Sequence, residues 1–124
     1  MKTIILLESD RTVAGCVKDE LQKHGFYTYV AANADEAVAA ADKKKPDLVI
    51  SDLAISNHSG SEFLYEFRTY SDWKDVPVIL FSSIEPSTEV LNSNDFKMLD
   101  IYDFLYKPKT SLESLSERVL SATS

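Results

Sequence analysis

Apolar residues along the chain gather into five short runs. They are Thr3 to Leu7, Phe26 to Val30, Leu48 to Ile50, Val76 to Phe81, and Ile101 to Tyr106. Runs this short, rich in β-branched and aromatic residues, read as strands; Thr3 to Leu7, Leu48 to Ile50 and Val76 to Phe81, without polar alternation, read as buried on both faces of a sheet. Asp103 interrupts the fifth run, and Pro77 is tolerable only because it stands near the start of the fourth. Between the runs the apolar spacing changes to that of helices. From Arg11 to about His24, Val13, Cys16, Val17 and Leu21 mark an inner face. Ser9 or Asp10 can cap that helix, and Gly25 suits its end, where His24 meets the helix dipole favourably. Asn33-Ala34-Asp35-Glu36 resembles a capping box opening an alanine-rich helix to about Lys43, which Pro46 ends. Lys43-Lys44-Lys45 is most simply its solvated terminus. A third helix runs from about Ser61 to Tyr70 with Phe63, Leu64 and Phe67 inward, and Trp73 covers the edge of the core from a polar linker. From Ile84 to Asp100 the pattern is weak and predicts only a short or irregular helix after Pro86. Thr110-Ser111-Leu112-Glu113 is a capping box for a last helix with Leu112, Leu115, Val119 and Ala122 inward.

Strands alternating with helices, with no repeat and no internal linker, predict one α/β domain over residues 1–124. Its sheet is parallel with helices on both faces. A chain of 124 residues has room for one core. Its net charge of -7 and pI near 4.7 argue against nonspecific binding to nucleic acid or to an anionic membrane. No apolar run approaches the roughly 20 residues needed to span a bilayer, and the Ile4 to Leu7 run is no signal-peptide core. The single cysteine, Cys16, excludes an internal disulfide, fits a reducing compartment and reads as core, so a cytoplasmic location is expected. With only three glycines there is no phosphate-cradling glycine loop and no dinucleotide fingerprint.

The candidate chemistry lies at the carboxyl ends of the runs, where open α/β sheets bind ligands. Leu48-Val49-Ile50-Ser51 ends in Asp52, a carboxylate placed by a rigid strand where it could serve as a nucleophile or metal ligand, or simply cap the strand and meet water. The first run ends in Glu8-Ser9-Asp10, the fourth in Ser82-Ser83, and the fifth in Lys107-Pro108. Taken singly, Ser82 is an ordinary strand end, Lys107 a surface lysine pairing with Asp103, and Phe104 a core residue.

Together, in this order along an alternating chain, these residues resemble the receiver domain of two-component response regulators, over the whole length. The resemblance implies a flavodoxin-like α/β/α fold with strand order 2-1-3-4-5. It implies that Asp52 is the phosphoacceptor, taking a phosphoryl group from a sensor histidine kinase or a phosphotransfer protein as an acyl phosphate. Lys107 and Mg²⁺ would neutralise the meeting anions, the metal held by Glu8, Asp52 and the backbone carbonyl of Ala54. Ser82 would bond the phosphoryl oxygen, with the small Ser83 beside it, and Phe104 would follow Ser82 as the switch aromatic. Lys107-Pro108 would be a cis peptide. A downstream protein would bind the face formed by helix 4, strand 5 and helix 5. Tyr102 and Tyr106 border that face and leave a homodimer open, though no motif argues for one. The activity would be self-phosphorylation alone, not turnover of an external substrate.

The chain also departs from the family. Its first strand usually ends in two adjacent acidic residues; here Ser9 replaces the second, which contacts the metal directly. Ser9 can act only as a neutral ligand or through a water, and Asp10 is one residue late, so Mg²⁺ binding should be weak. Asp100-Ile101 stands where Gly-Ala is common, and Ser56 where a proline is common. Ala54 has no side chain to guide a hydrolytic water. The alternative is therefore a degenerate receiver, a phosphorylation-independent interaction module. A phosphatase of the haloacid dehalogenase type would want an Asp at Ala54, and flavin binding is disfavoured by the acidic turn Glu8 to Thr12. The sequence fits either a stand-alone receiver or part of a larger regulator.

Overall fold

Side-chain alternation along the strands decides the layers. In the computed structural model, which describes residues 1–52, 60–83, 92 and 94–124, five strands form one sheet: β1 (Thr3–Leu7), β2 (Tyr27–Ala31), β3 (Leu48–Ser51), β4 (Val78–Ser82) and β5 (Asp103–Tyr106). The order is β2-β1-β3-β4-β5 and every pairing is parallel. Ile5, Leu7, Val49, Val78 and Leu80 point to one face, against α2 (Ala34–Lys43) and α3 (Gly60–Thr69). Ile4, Leu6, Leu48, Ile50, Ile79, Phe81 and Leu105 point to the other, against α1 (Arg11–Lys23) and α5 (Leu112–Thr123). A short helix, α4 (Asn94–Lys97), precedes the turn into β5. β1, β3 and β4 are buried on both faces, which explains their continuous apolar runs, whereas the edge strands differ: β2 turns Tyr27 and Tyr29 to solvent and β5 is only half-buried.

The helices form where their local chemistry allows. Asp10 caps α1, accepting from the Thr12 and Val13 amides, and Asn33 caps α2 through the Glu36 amide. Gly25, at φ +84°, follows α1 in the left-handed conformation that releases the chain into β2. The alanine face of α2, Ala34, Ala37 and Ala41, is buried on the sheet. Phe63, Leu64 and Phe67 of α3 are fully buried, as expected, and Trp73 is more central than expected: it is buried and stacks on Phe67 at 4.9 Å.

Several expectations need correction. Cys16 is exposed; the buried stripe of α1 is Ala14, Val17 and Leu21, with Val13 at its margin. That stripe is rotated away from Cys16 because the small Ala14 turns inward in its place. Leu112 shares the inner spacing of α5 but stands in the first turn, ahead of the packed stretch that begins at Leu115, and remains 36% exposed. The cap of α5 is Ser111, accepting from the Ser114 amide, while the Thr110 hydroxyl donates to the Tyr106 carbonyl, so the Thr110–Glu113 box does not form. Asp103 does not interrupt β5 but opens it, half-buried, with Arg118 at 2.8 Å. β4 begins at Val78 rather than Val76, and Pro77 precedes it with its carbonyl accepting from Val49. The Lys107–Pro108 peptide is trans. Asp100 adopts φ +51°, the left-handed region that favours glycine; a short polar side chain tolerates this region better than most. The helix expected after Pro86, Ala54 and Ser56 lie outside the described residues.

Candidate phosphoacceptor site

Strand register assembles the site. Leu7 pairs with Ser51, so Glu8 and Asp52 leave the sheet side by side, and the Asp52 amide donates to the Leu7 carbonyl at 3.1 Å. Ser82 pairs with Tyr106, which places Lys107 immediately beyond it at the same edge. Four residues drawn from separate strand ends thus converge because the strands are parallel: all their carboxyl ends lie at one edge.

The resulting contacts are short. Lys107 Nζ lies 2.6 Å from Glu8 Oε1 and 2.7 Å from Asp52 Oδ2. Ser82 Oγ donates to Asp52 Oδ1 at 2.8 Å. Glu8 and Asp52 are 3% and 5% exposed, so these charges interact in a medium of low effective dielectric. Burial alone would push the Lys107 ammonium down; hydrogen bonds and charge from Asp52 and Glu8 outweigh it and hold Lys107 above its ordinary value. Lys107 is therefore a fixed cation at neutral pH. Its ammonium also lies 5.6 Å from the Phe81 ring centre, a contact the sequence reading missed although strand alternation puts Phe81 on the α1–α5 face next to Ser82. Lys107 is not paired with Asp103, whose partner is Arg118.

Of the expected site residues, Glu8, Asp52, Ser82 and Lys107 are brought together. Ser83 stands exposed beside them. Phe104 is half-buried and packs against the α2–α3 core layer. Ser9 is exposed, and Asp10 is turned away to cap α1, its amide donating to Glu8 Oε2 at 3.2 Å. Among the described residues no group of three or more His, Cys, Asp or Glu side chains gathers as a ligand cluster. The donors still fit a hard cation such as Mg²⁺, which commonly takes one or two carboxylates and keeps several waters; Glu8 and Asp52 would supply the carboxylates. Chemically, the arrangement offers a positioned carboxylate nucleophile, a cation to offset an incoming anion, and a hydroxyl able to change partners.

Residues 4–120 match the response regulator receiver domain family. The KDP operon transcriptional regulatory protein KdpE of Escherichia coli is 26% identical over 108 residues, covering 87% of this chain and 45% of that protein. The sensory transduction protein BceR of Halalkalibacterium halodurans is 29% identical over 108 residues, covering 87% and 44%. This chain spans under half the length of these two relatives. Among solved structures, the chemotaxis protein CheY4 of Vibrio cholerae superposes with a TM-score of 0.87 at 26% identity, over 98% of each chain. The response regulator TrrA of Thermotoga maritima, solved in complex with Mg²⁺ and BeF, shares the fold with a TM-score of 0.80 at 24% identity, over 98% of this chain and 99% of that one. The parallel order β2-β1-β3-β4-β5, the four strand-end residues and a match running from β1 into α5 lead to one assignment: this chain belongs to the response regulator receiver domain family.

Proposed function

We propose that this chain is a phosphoaccepting receiver of a two-component phosphorelay, working in the cytoplasm. The observation that carries the reading is the Asp52 carboxylate, buried at the end of β3 with Ser82 on one oxygen and Lys107 on the other. A carboxylate oxygen of Asp52 attacks the phosphorus of a phosphohistidine on a sensor kinase or phosphotransfer protein. The P–N bond breaks, its electron pair stays on the imidazole, and Asp52 carries the phosphoryl group as an acyl phosphate. Lys107, held cationic, offsets the charge of the incoming anion. Mg²⁺, when bound by Glu8 and Asp52 with the Ala54 carbonyl, supplies further charge neutralisation, and TrrA offers the precedent of a receiver fold holding Mg²⁺. The neutral, exposed Ser9 contributes no charge there and acts at most through a water, so binding is weak. Ser82 exchanges its bond to Asp52 Oδ1 for one to a phosphoryl oxygen, Phe104 repacks behind it, and the surface of α4, β5 and α5 changes its affinity for a downstream protein. The chain modifies only itself.

The test is intact mass after incubation with acetyl phosphate and Mg²⁺, with Asp52→Ala as control. Gain of one phosphoryl group in the wild type alone supports the reading. The second reading, a phosphorylation-independent interaction module, draws on Ser9; no gain in the wild type together with gain in Ser9→Asp would establish it.

A further inference from the structure

At the end of the sheet opposite the phosphoacceptor site, one side chain gathers five backbone carbonyls. Arg68, half-buried in the last turn of α3, donates from Nε to the Leu99 carbonyl at 2.7 Å and from Nη2 to that of Asp100 at 3.1 Å. Its Nη1 lies among the carbonyls of Trp73, Lys74 and Val76, at 3.1, 3.1 and 2.8 Å. The first pair belongs to the turn between α4 and β5; the other three belong to the turn that leads into β4. Sequence patterning gave Arg68 no role, since an arginine on a helix end reads as a solvated charge.

We propose that Arg68 is a positioning residue that clamps the base of the α4–β5 face to α3 and to the entrance of β4, so that this face responds to Asp52 as one body with the sheet. Three features support it. The acceptors come from two separate turns, so the guanidinium is a cross-link rather than a local cap. The α4–β5 turn contains Asp100 at φ +51°, a region less favourable for aspartate than for glycine, and the Asp100 carbonyl is one of the clamped groups. The two strands joined at this end are the ones that carry Ser82 and Lys107 at the other, and the Tyr102 amide bonds the Val78 carbonyl at 2.8 Å to complete the link. Only a planar fork with five donors can serve acceptors so arranged; a lysine ammonium keeps the charge but not the geometry.

The signalling half of this inference rests on the proposed receiver function. The test uses the full chain and the variants Arg68→Lys and Arg68→Met. Amide hydrogen exchange is read at Asp100 and Tyr102, at rest and with acetyl phosphate and Mg²⁺, alongside the extent of Asp52 phosphorylation by intact mass. In both variants the two amides should exchange at rest about ten-fold faster or more, the scale of losing hydrogen bonds to a charged donor. Phosphorylation of Asp52 should persist, while its effect on those amides, present in the wild type, should vanish. Unchanged resting exchange in Arg68→Lys, or a wild-type phosphorylation effect in it, would overturn the clamp. If the wild type takes no phosphoryl group, the receiver reading fails by that result, and resting exchange alone decides the clamp: faster supports it, unchanged overturns it.

Discussion

Replacing Lys107 by Met keeps the length of the side chain and removes the cation that Glu8 and Asp52 share. Both carboxylates are bonded to the same nitrogen, at 2.6 and 2.7 Å, and both are buried. Their oxygens are therefore on the order of 5 Å apart or closer, and two like charges at ~5 Å repel by about 3 kcal/mol at an effective dielectric of ~20. That agrees with the low end of the roughly 3–5 kcal/mol typical of removing one partner of a buried pair. The low end is appropriate because the Lys107 side chain keeps 16% exposure and water can partly replace it. A loss of about 3 kcal/mol is a large share of the roughly 5–15 kcal/mol of a folded domain. It should lower the urea midpoint by about 2 M for a slope of ~1.5 kcal/mol/M. The assay is urea unfolding followed by the fluorescence of Trp73, the single tryptophan, buried against Phe67, in buffer with a chelator to remove divalent ions.

The sign with pH is also fixed. Lys107→Met has no ammonium to titrate at this position, so it should lack the alkaline loss of stability that this lysine gives the wild type. Lys107 is raised in the folded state, so its contribution is complete below the unfolded lysine value of about 10.4 and is lost as the pH climbs through the folded value. A Lys107→Met protein as stable as the wild type at pH 7 would refute the convergence of both carboxylates on this lysine.

Two further outcomes follow from positions around the site. Ser9→Asp restores an acidic neighbour to Glu8 and should tighten Mg²⁺ binding by about ten-fold, the scale of one added favourable charge contact; isothermal titration showing equal affinity would remove the weak-metal reading. Ala54→Asn should shorten the lifetime of phosphorylated Asp52, measured by loss of the added mass with time after the phosphodonor is removed. An unchanged lifetime would discard the expectation that Ala54, whose methyl group cannot guide a hydrolytic water, leaves the acyl phosphate long-lived.

The alternating α/β pattern and the polar strand ends were legible along the chain because both depend on local periodicity; the strand order and the role expected of each site residue came only from the resemblance to receiver domains. Apolar runs too short for helices, alternating with helix-spaced stretches, imply a parallel sheet, and in a parallel sheet every strand delivers its last residue to one edge. Glu8, Asp52, Ser82 and Lys107 could thus be named from where the runs stop, and Asp10 and Asn33 as caps from the residue types that accept amide hydrogen bonds. What the sequence could not decide were the quantities set by distance and angle between elements. Cys16 and Ala14 lie two residues apart on one helix, and only packing against the sheet settles which turns inward. Lys107 had Asp103 nearby in sequence and Glu8 and Asp52 far from it; the strand register gave it the distant pair and left Asp103 to Arg118. Arg68 carries no pattern at all, because its five acceptors are backbone carbonyls, identical in every residue and visible only once two turns have been folded onto the end of α3. Periodicity is a property of the chain, so the chain alone determined the elements and their order; convergence is a property of space, so the tertiary structure alone decided which charges meet.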